Sequence, residues 1–210
     1  AIPSEGELAA RFNVSQGTVR KAIDEMASEN LLIRRQGKGT FVASHDDPRS
    51  FYRFLRLVPD DGIPAHAVSV PLSCSTREAG PEAAAALGIA VGEPVIYVER
   101  LLRFNGETVV FDQIHLVTDL FAGLTLESLS GGDRSLYSLF ENTYGVRMIH
   151  AEEHLRAVAA DPYSAGLLGV QPGAPLLLVE RTAYTYGNKP VEWRRGLYCT
   201  NRHYYRNDLG

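Results

Sequence analysis

The sequence is short of the residues that cross-link or anchor a chain. Its 210 residues include only two cysteines, Cys74 and Cys199, and these form no Cys-x-x-Cys pair. Such isolated cysteines favour two reduced thiols over a disulfide. No apolar run approaches the roughly 20 residues that a membrane-spanning helix needs, and no signal peptide is visible. These absences predict a protein of the cytoplasm with no membrane partner.

Motifs of the common enzyme classes are also missing. The chain has no Gly-x-Ser-x-Gly, no His-Glu-x-x-His and no phosphate-binding loop. His150 and His154 stand four residues apart, but we predict a strand there, which separates them by about 13 Å. That distance is too long for two ligands of one metal ion. Asp60 and Asp61 indicate a solvated turn rather than a catalytic pair. We therefore predict no catalytic residue, no metal site and no cofactor.

Charge is small overall but unevenly placed. The formal net charge is −4, which by itself argues against nucleic-acid binding. Residues 1–45 nevertheless carry six Lys and Arg against five Asp and Glu, whereas residues 46–210 carry fifteen against twenty. For nucleic-acid binding, the position of the basic residues matters more than the net charge of the whole chain. A chain of 210 residues with 45% hydrophobic residues fits two globular domains.

Two helices joined by a short corner are predicted near the N-terminus. The first covers Ser4–Phe12, where Ser4 and Glu7 form a capping box. Asn13-Val14 makes the corner, and Ser15 can cap a second helix. The apolar residues of that helix recur at helical spacing and form its buried face: Val19, Ile23, Met26 and Ala27.

This arrangement predicts a helix-turn-helix whose second helix enters the major groove of DNA. The first turn of that helix offers short hydrogen-bonding groups and one cation, and our candidates for DNA contact are Ser15, Gln16, Thr18 and Arg20. Two β-prone runs follow, Leu31–Arg35 and Thr40–Val42, around a basic glycine-rich tip. They predict a hairpin, or wing, whose candidate DNA contacts are Gln36, Gly37 and Lys38.

The segment resembles the winged helix-turn-helix of the GntR family of bacterial repressors. The matching residues, in order, are Pro3-Ser4-Glu5, Leu8-Ala9, Val14-Ser15, Thr18-Val19-Arg20 and Arg34–Val42. The resemblance implies a further helix ahead of Ala1, so we expect the first domain, residues 1–43, to be incomplete and poorly supported. The family often has arginine where Gly6 and Gln16 stand, so we expect a different base preference here.

The remainder of the chain predicts an α+β domain. Residues 44–50 indicate a linker, and residues 51–210 the second domain. We see no internal repeat. Predicted strands cover Phe51–Val58, Ala65–Leu72, Pro94–Phe104, Glu107–Leu116, Val146–Ala159, Leu176–Thr185, Pro190–Tyr198 and His203–Arg206. Predicted helices cover Glu78–Leu87, Ser135–Tyr144 and Asp161–Leu168, with turns at Pro59–Gly62 and Asp119–Leu124. An antiparallel sheet with helices packed against it accommodates this order.

This order resembles the UTRA effector domain of the HutC-type branch of the same family, which has a chorismate-lyase-like fold. The matching stretches are Ser135–Glu141, Leu167–Val170, Gly173–Leu177, Arg181–Tyr184 and Pro190-Val191-Glu192. The resemblance implies an effector pocket formed by Arg100, Asp112, Ser135, Tyr137, Glu192 and Tyr198, with Arg194 as a further candidate. The plainer alternatives are a surface ion pair for Arg100, a helix cap for Ser135 and a core aromatic for Tyr198.

Together these features predict a homodimeric, ligand-responsive transcriptional regulator, a repressor, that binds double-stranded operator DNA. The family's frequent second pocket arginine is Leu102 here, which favours a small organic anion or a zwitterion over a sugar phosphate as effector. Two alternatives stay open at this point. The pocket could be vestigial, or the lyase-like fold could carry acid–base chemistry, although a fold alone does not establish a function.

Overall fold

The computed structural model describes residues 1–29, 31–44, 55–62, 67–130 and 135–207. The predicted linker residues 45–50 and the first part of the predicted strand Phe51–Val58 lie outside these ranges. Within them the chain forms an N-terminal helix-turn-helix with a hairpin, followed by a large antiparallel sheet with helices on both faces.

The N-terminal helices begin and end where the sequence predicts. Helix α1 (Glu5–Phe12) starts at Ser4, which exchanges backbone and side-chain hydrogen bonds with Glu7 in a capping box. The helix ends at Asn13, whose φ of 53° is left-handed. Helix α2 (Gln16–Ser28) starts at Ser15, whose Oγ accepts the backbone N–H of Thr18 at 3.1 Å. These local hydrogen bonds satisfy N–H groups that a helix start leaves unpaired.

The predicted wing is also present. Strands β1 (Leu32–Arg35) and β2 (Gly39–Val42) pair antiparallel, and the turn between them uses positive φ at Gly37 and Gly39. The backbone N–H of Ile2 adds a hydrogen bond to the carbonyl of Thr40 at 2.8 Å. The core of this domain is small and consists of Ala9, Val19, Ile23 and Leu32.

An open apolar groove of about 360 Å³ runs along the helices of this first domain. Its lining includes Leu8, Val14 and Met26, and Phe12 beside it is 64% exposed. Both helices and the wing are formed, and the expectation that this domain is incomplete and poorly supported stays a prediction.

The second domain is built on a six-stranded antiparallel sheet with the strand order β4-β5-β6-β9-β8-β7. Its strands are β4 (Ala67–Glu78), β5 (Pro94–Phe104), β6 (Glu107–Val117), β7 (His150–Ala159), β8 (Pro175–Thr185) and β9 (Lys189–Tyr198). Two short strands, β3 (Leu57–Pro59) and β10 (His203–Tyr205), form a separate pair. This architecture confirms the predicted α+β class.

Helices cover both faces of the sheet. They are α3 (Pro81–Leu87), α4 (Leu126–Leu129), α5 (Leu136–Tyr144) and α6 (Pro162–Leu168), with single 3₁₀ turns at Thr118–Leu120 and Tyr186–Asn188. Helix α5 packs through Tyr137 and Phe140 on the face that carries Ile96 and Ile114. Because side chains alternate along a strand, α3 beside Trp193 and α6 against β6 lie on the opposite face.

The larger differences from the predicted elements concern β4, α4 and β7. Strand β4 continues to Glu78, because its second half pairs with β5, so α3 begins at Pro81 rather than at Glu78. The single helical turn α4 was missed, since a four-residue helix leaves too little periodicity to detect. Residues 146–149 are irregular, and β7 begins only at His150.

The prediction that the chain has no internal repeat is wrong. The sheet consists of two halves with the same strand–helix–strand–strand order, β4-α3-β5-β6 and β7-α6-β8-β9. Equivalent residues in the two halves are 81 positions apart, namely Pro81 and Pro162, Gly88 and Gly169, Gly92 and Gly173, Pro94 and Pro175. Both β5 and β8 also contain Val-Glu-Arg, ending at Arg100 and Arg181.

Candidate functional site

A cluster of buried charges lies in the middle of the sheet on the face that α5 covers. Arg100 on β5 stands opposite Asp112 on β6. Its Nε and Nη2 donate to Asp112 Oδ2 at 2.9 and 2.8 Å, and the Asp112 side chain is 0% exposed. The predicted alternative of a surface ion pair is therefore wrong, because both side chains are buried.

Arg194 on β9 connects Asp112 to a second carboxylate. Its Nη1 lies 3.3 Å from Asp112 Oδ2, and its Nε donates to Glu192 Oε1 at 2.9 Å. The Tyr137 hydroxyl donates to the same Glu192 oxygen at 3.0 Å from helix α5 above the sheet. The structure thus brings four predicted pocket residues and Arg194 into one hydrogen-bonded network: Arg100, Asp112, Tyr137 and Glu192.

Tyr198 packs into this cluster through an unusually close approach at Gly196. A Cβ placed on Gly196 would lie 2.5 Å from the Tyr198 ring and 2.8 Å from Asp112 Oδ1. Only glycine leaves room there for both groups. Tyr198 is buried in the core of the domain, so its role as an effector contact stays a prediction.

A small cavity of about 40 Å³ lies between the sheet and the N-terminal end of α5. Of the predicted pocket residues, Arg100 and Ser135 line it, together with Ser69, Pro71, Val98, Ser128, Leu129, Leu136 and Leu139. Ser135 also caps α5, since its Oγ accepts the backbone N–H of Ser138 at 3.0 Å. The predicted helix cap and the predicted pocket position are therefore compatible. Backbone N–H groups at this helix end favour an anion.

The sequence interpretation missed one side of the network. Arg181 on β8 is 2% exposed and pairs with Glu153 on β7, with an Nη2–Oε1 distance of 2.5 Å. The Tyr205 hydroxyl of β10 donates to the other Glu153 oxygen. The repeated Val-Glu-Arg of β5 and β8 was the available signal for Arg181. The sequence contained no signal for Glu153 and Tyr205, because their partners are remote in the chain.

The network contains equal numbers of basic and acidic side chains. It contains three arginines (Arg100, Arg181, Arg194) and three acids (Asp112, Glu153, Glu192). Burial raises the pKa of Tyr137 to about 12, and the nearby Glu192 charge adds to this. Burial lowers the pKa of the Arg100 guanidinium, with the Arg194 charge contributing. These phenol and guanidinium groups do not titrate near neutrality, which suits binding more than acid–base catalysis.

The predicted DNA contacts are all exposed on the surface of the first domain. Ser15, Gln16, Thr18 and Arg20 are exposed on the first turns of α2, and Gln36, Gly37 and Lys38 are exposed at the tip of the wing. Arg20 donates through Nε and Nη2 to Glu5 at 3.0 and 2.8 Å. Arg34 of the wing pairs with Asp24 at 2.6 Å. An exposed helix start and an exposed hairpin tip with Lys38 provide the geometry that phosphate and groove contacts require.

Together, these two sites define a class of protein: a DNA-binding regulator with a winged helix-turn-helix and a separate effector domain. Comparison with known families identifies the class more closely. Residues 66–204 match the UTRA domain, and residues 1–42 match the bacterial regulatory proteins of the gntR family. The chain therefore belongs to the GntR family, in its HutC-type branch, and is a transcriptional regulator rather than an enzyme.

Individual relatives agree with this assignment. The HTH-type transcriptional regulator YurK of Bacillus subtilis is 31% identical over 96% of this chain and 83% of its own. The repressor NagR of the same organism is 28% identical over 96% of this chain and 82% of its own. Among solved structures, the ligand-binding domain of a protein described as a GntR-family regulator from Bordetella bronchiseptica is 49% identical, with a TM-score of 0.73 over 76% of this chain and 99% of that one. Among the described residues, no helix is long and apolar enough to cross a membrane.

Proposed function

We propose that this regulator is a cytoplasmic, homodimeric repressor that leaves its operator when a small organic anion or zwitterion fills the cavity below α5. The main support is the combination, in one chain, of an exposed recognition helix and a buried arginine–carboxylate network with a cavity at Arg100. Two such heads on a symmetric dimer match the two half-sites of a pseudo-palindromic operator.

The chemistry of the cavity supports this effector class. The three arginines of the network are already matched by three acids, so a dianion would add charge without a free cation to balance it. By the family resemblance, Leu102 stands where a second pocket arginine is frequent, and a phosphate group would need that arginine as a partner. Within the described residues, Asp112 Oδ1 and Glu192 Oε2 accept no hydrogen bond. Neither residue lines the cavity at its present size, so a ligand ammonium or hydroxyl group can supply these donors only when the cavity enlarges toward them.

The cavity must enlarge to hold an effector. Its 40 Å³ is far below the roughly 300 Å³ or more of typical ligand sites. Helix α5 begins at the cavity, and at its other end Glu141 accepts a hydrogen bond from Ser44 Oγ at 3.2 Å, directly after the wing. A shift of α5 can therefore change how the heads are held. A tenfold loss of operator affinity requires the effector to favour the released state by about 1.4 kcal/mol.

Thermal-shift screening of the purified chain against amino acids, small carboxylic acids and sugar phosphates tests this proposal. An effector raises the melting temperature by mass action and weakens the operator gel shift in the same concentration range. Arg100→Met should abolish both effects, and Leu102→Arg should shift the preference toward phosphorylated compounds. If every compound left both the melting temperature and operator binding unchanged, the pocket would be vestigial and this proposal would be wrong.

A further inference from the structure

The exposed first turns of α2 contain four predicted DNA contacts, but three of them are already engaged within the protein. Ser15 Oγ and Thr18 Oγ1 lie 2.9 Å apart and share a hydrogen bond, and Ser15 also caps the helix. Arg20 is held by Glu5 through two hydrogen bonds. Within residues 1–29 and 31–44, the structure shows no hydrogen-bond partner for the Gln16 amide.

Gln16 is exposed, and its amide lies over Gly6 of α1. A Cβ placed on Gly6 would lie 3.6 Å from Gln16 Nε2. Because Gly6 has no side chain, no longer group on α1 covers the amide at that position. Gln16 is also the first residue of α2, and the N-terminal residues of a recognition helix are those that reach base edges in the major groove.

We propose that Gln16 sets the base preference of each half-site by selecting an adenine. This inference rests on the proposed DNA-binding function and assigns the residue that carries its specificity. The Gln16 amide has one donor group and one acceptor. In the major groove, adenine offers the acceptor N7 beside the donor N6, which match these two groups in a bidentate pair. Guanine offers two acceptors, N7 and O6, so the Gln16 carbonyl oxygen would face one of them without a proton.

Arg20 has a different role on the same surface. Its guanidinium is already bound to Glu5, which raises the pKa of Arg20 and fixes the direction of the side chain. The Arg20 side chain is 61% exposed, so a DNA phosphate can replace Glu5 as its partner, and such a contact does not depend on sequence. Loss of Arg20 should therefore weaken binding to all duplexes alike, whereas loss of Gln16 should remove the preference at one base position.

Selection from a randomised duplex library with the 210-residue chain tests this assignment. The wild type should enrich adenine at one position in each half-site, and replacement of that base by guanine should weaken binding about 10- to 100-fold. Gln16→Ala should make this position indifferent while it leaves the other positions unchanged. Gln16→Arg should move the preference to guanine.

Two matched variants separate the possible outcomes. Arg20→Ala should keep the adenine preference but reduce the salt dependence of binding, and Gly6→Ala should leave the preference intact, since its Cβ makes only an ordinary contact. If Gln16→Ala kept an unchanged preference at every position, the assignment to Gln16 would be overturned while the DNA-binding function stood. If the wild type enriched no sequence and showed no salt-sensitive binding, both would be overturned.

Discussion

The two halves of the effector sheet show how one scaffold can serve two purposes. An approximate twofold axis between β6 and β9 relates them, and Arg100 and Arg181 occupy equivalent positions on β5 and β8. In the register of the strands, Arg100 stands opposite Asp112, and Arg181 stands opposite Arg194. Arg194 thus takes the place of Asp112 in the second half, and the two meet across the axis at 3.3 Å.

The difference between the halves lies in what surrounds each arginine. Arg100 lines the cavity at the start of α5. Arg181 is closed off by Glu153 on the edge strand β7 and by Tyr205 on β10, which contacts Glu153. The first half thus keeps an arginine that a ligand can reach, and in the second half the equivalent arginine supports the structure. The experiments below test this division of roles.

Substitution of the two arginines should have very unequal effects on stability. Arg181→Met leaves the largely buried Glu153, whose side chain is 12% exposed, without its cation, and loss of one partner of a buried pair costs about 3–5 kcal/mol in free energy of unfolding. Arg100→Met should cost clearly less, because Asp112 keeps its contact with Arg194. Urea denaturation of both variants measures the two values. Equal losses would show that the halves do not differ in this way.

The close approach at Gly196 should be the next most sensitive feature. In the repeat, Gly196 corresponds to the buried Ile114, since Ile114 pairs with Arg194 as Gly196 pairs with Asp112. Gly196→Ala places a Cβ against Tyr198 and Asp112, and we expect a loss of about 1–3 kcal/mol.

The matched control for this variant is Gly166→Ala, in the interior of α6. A Cβ at Gly166 meets no atom within 4 Å, and alanine favours a helix over glycine by about 1 kcal/mol. The same chemical change should therefore stabilise the protein at one site and destabilise it at the other. A loss of stability in both variants would indicate that the crowding at Gly196 is not the cause.

Local signals account for the parts of the fold that the sequence predicts well. The caps Ser4, Ser15 and Asp161 satisfy N–H groups within three residues, and the Asn105-Gly106 turn sets the β5–β6 hairpin. The second half of β4 was missed because its polar sequence has no strand pattern of its own. It is a strand only because β5 supplies its hydrogen-bond partners, and these are distant in the chain.

Some residues of the candidate site could likewise be predicted from the sequence, and others could not. Arg100 and Asp112 could be found because charged residues in otherwise apolar strands stand out, and the family resemblance gave them a role. The sequence interpretation did not find the role of Arg181. Its ion-pair partner Glu153 lies on the edge strand, and Tyr205, which contacts Glu153, lies on the C-terminal strand. Only the fold brings these three residues together. A repeat of 81 residues with few identities was too weak to show this in advance.

The opposite face of the sheet offers the smallest and most specific test of the comparison. His115 lies between Tyr97 and Trp193, at ring distances of 4.9 and 5.0 Å. The equivalent positions in the second half are the apolar Leu197, Leu178 and Phe111. Burial lowers the pKa of His115 from 6.5 to about 4, with the Arg77 charge adding to the effect. Between these values the unfolded chain binds a proton that the folded chain excludes, so stability should fall as the pH drops from about 6.5 to about 4.

Replacement of His115 by the residue of the other half should remove this part of the acid sensitivity. His115→Leu is expected to flatten the dependence of the unfolding free energy on pH between about 6.5 and 4, because leucine takes up no proton in either state. Urea titrations at several pH values measure the slope, and His154→Leu, which replaces an exposed histidine on β7, controls for the lost histidine. If the slope stayed the same in His115→Leu, His115 would not be the source of this acid sensitivity.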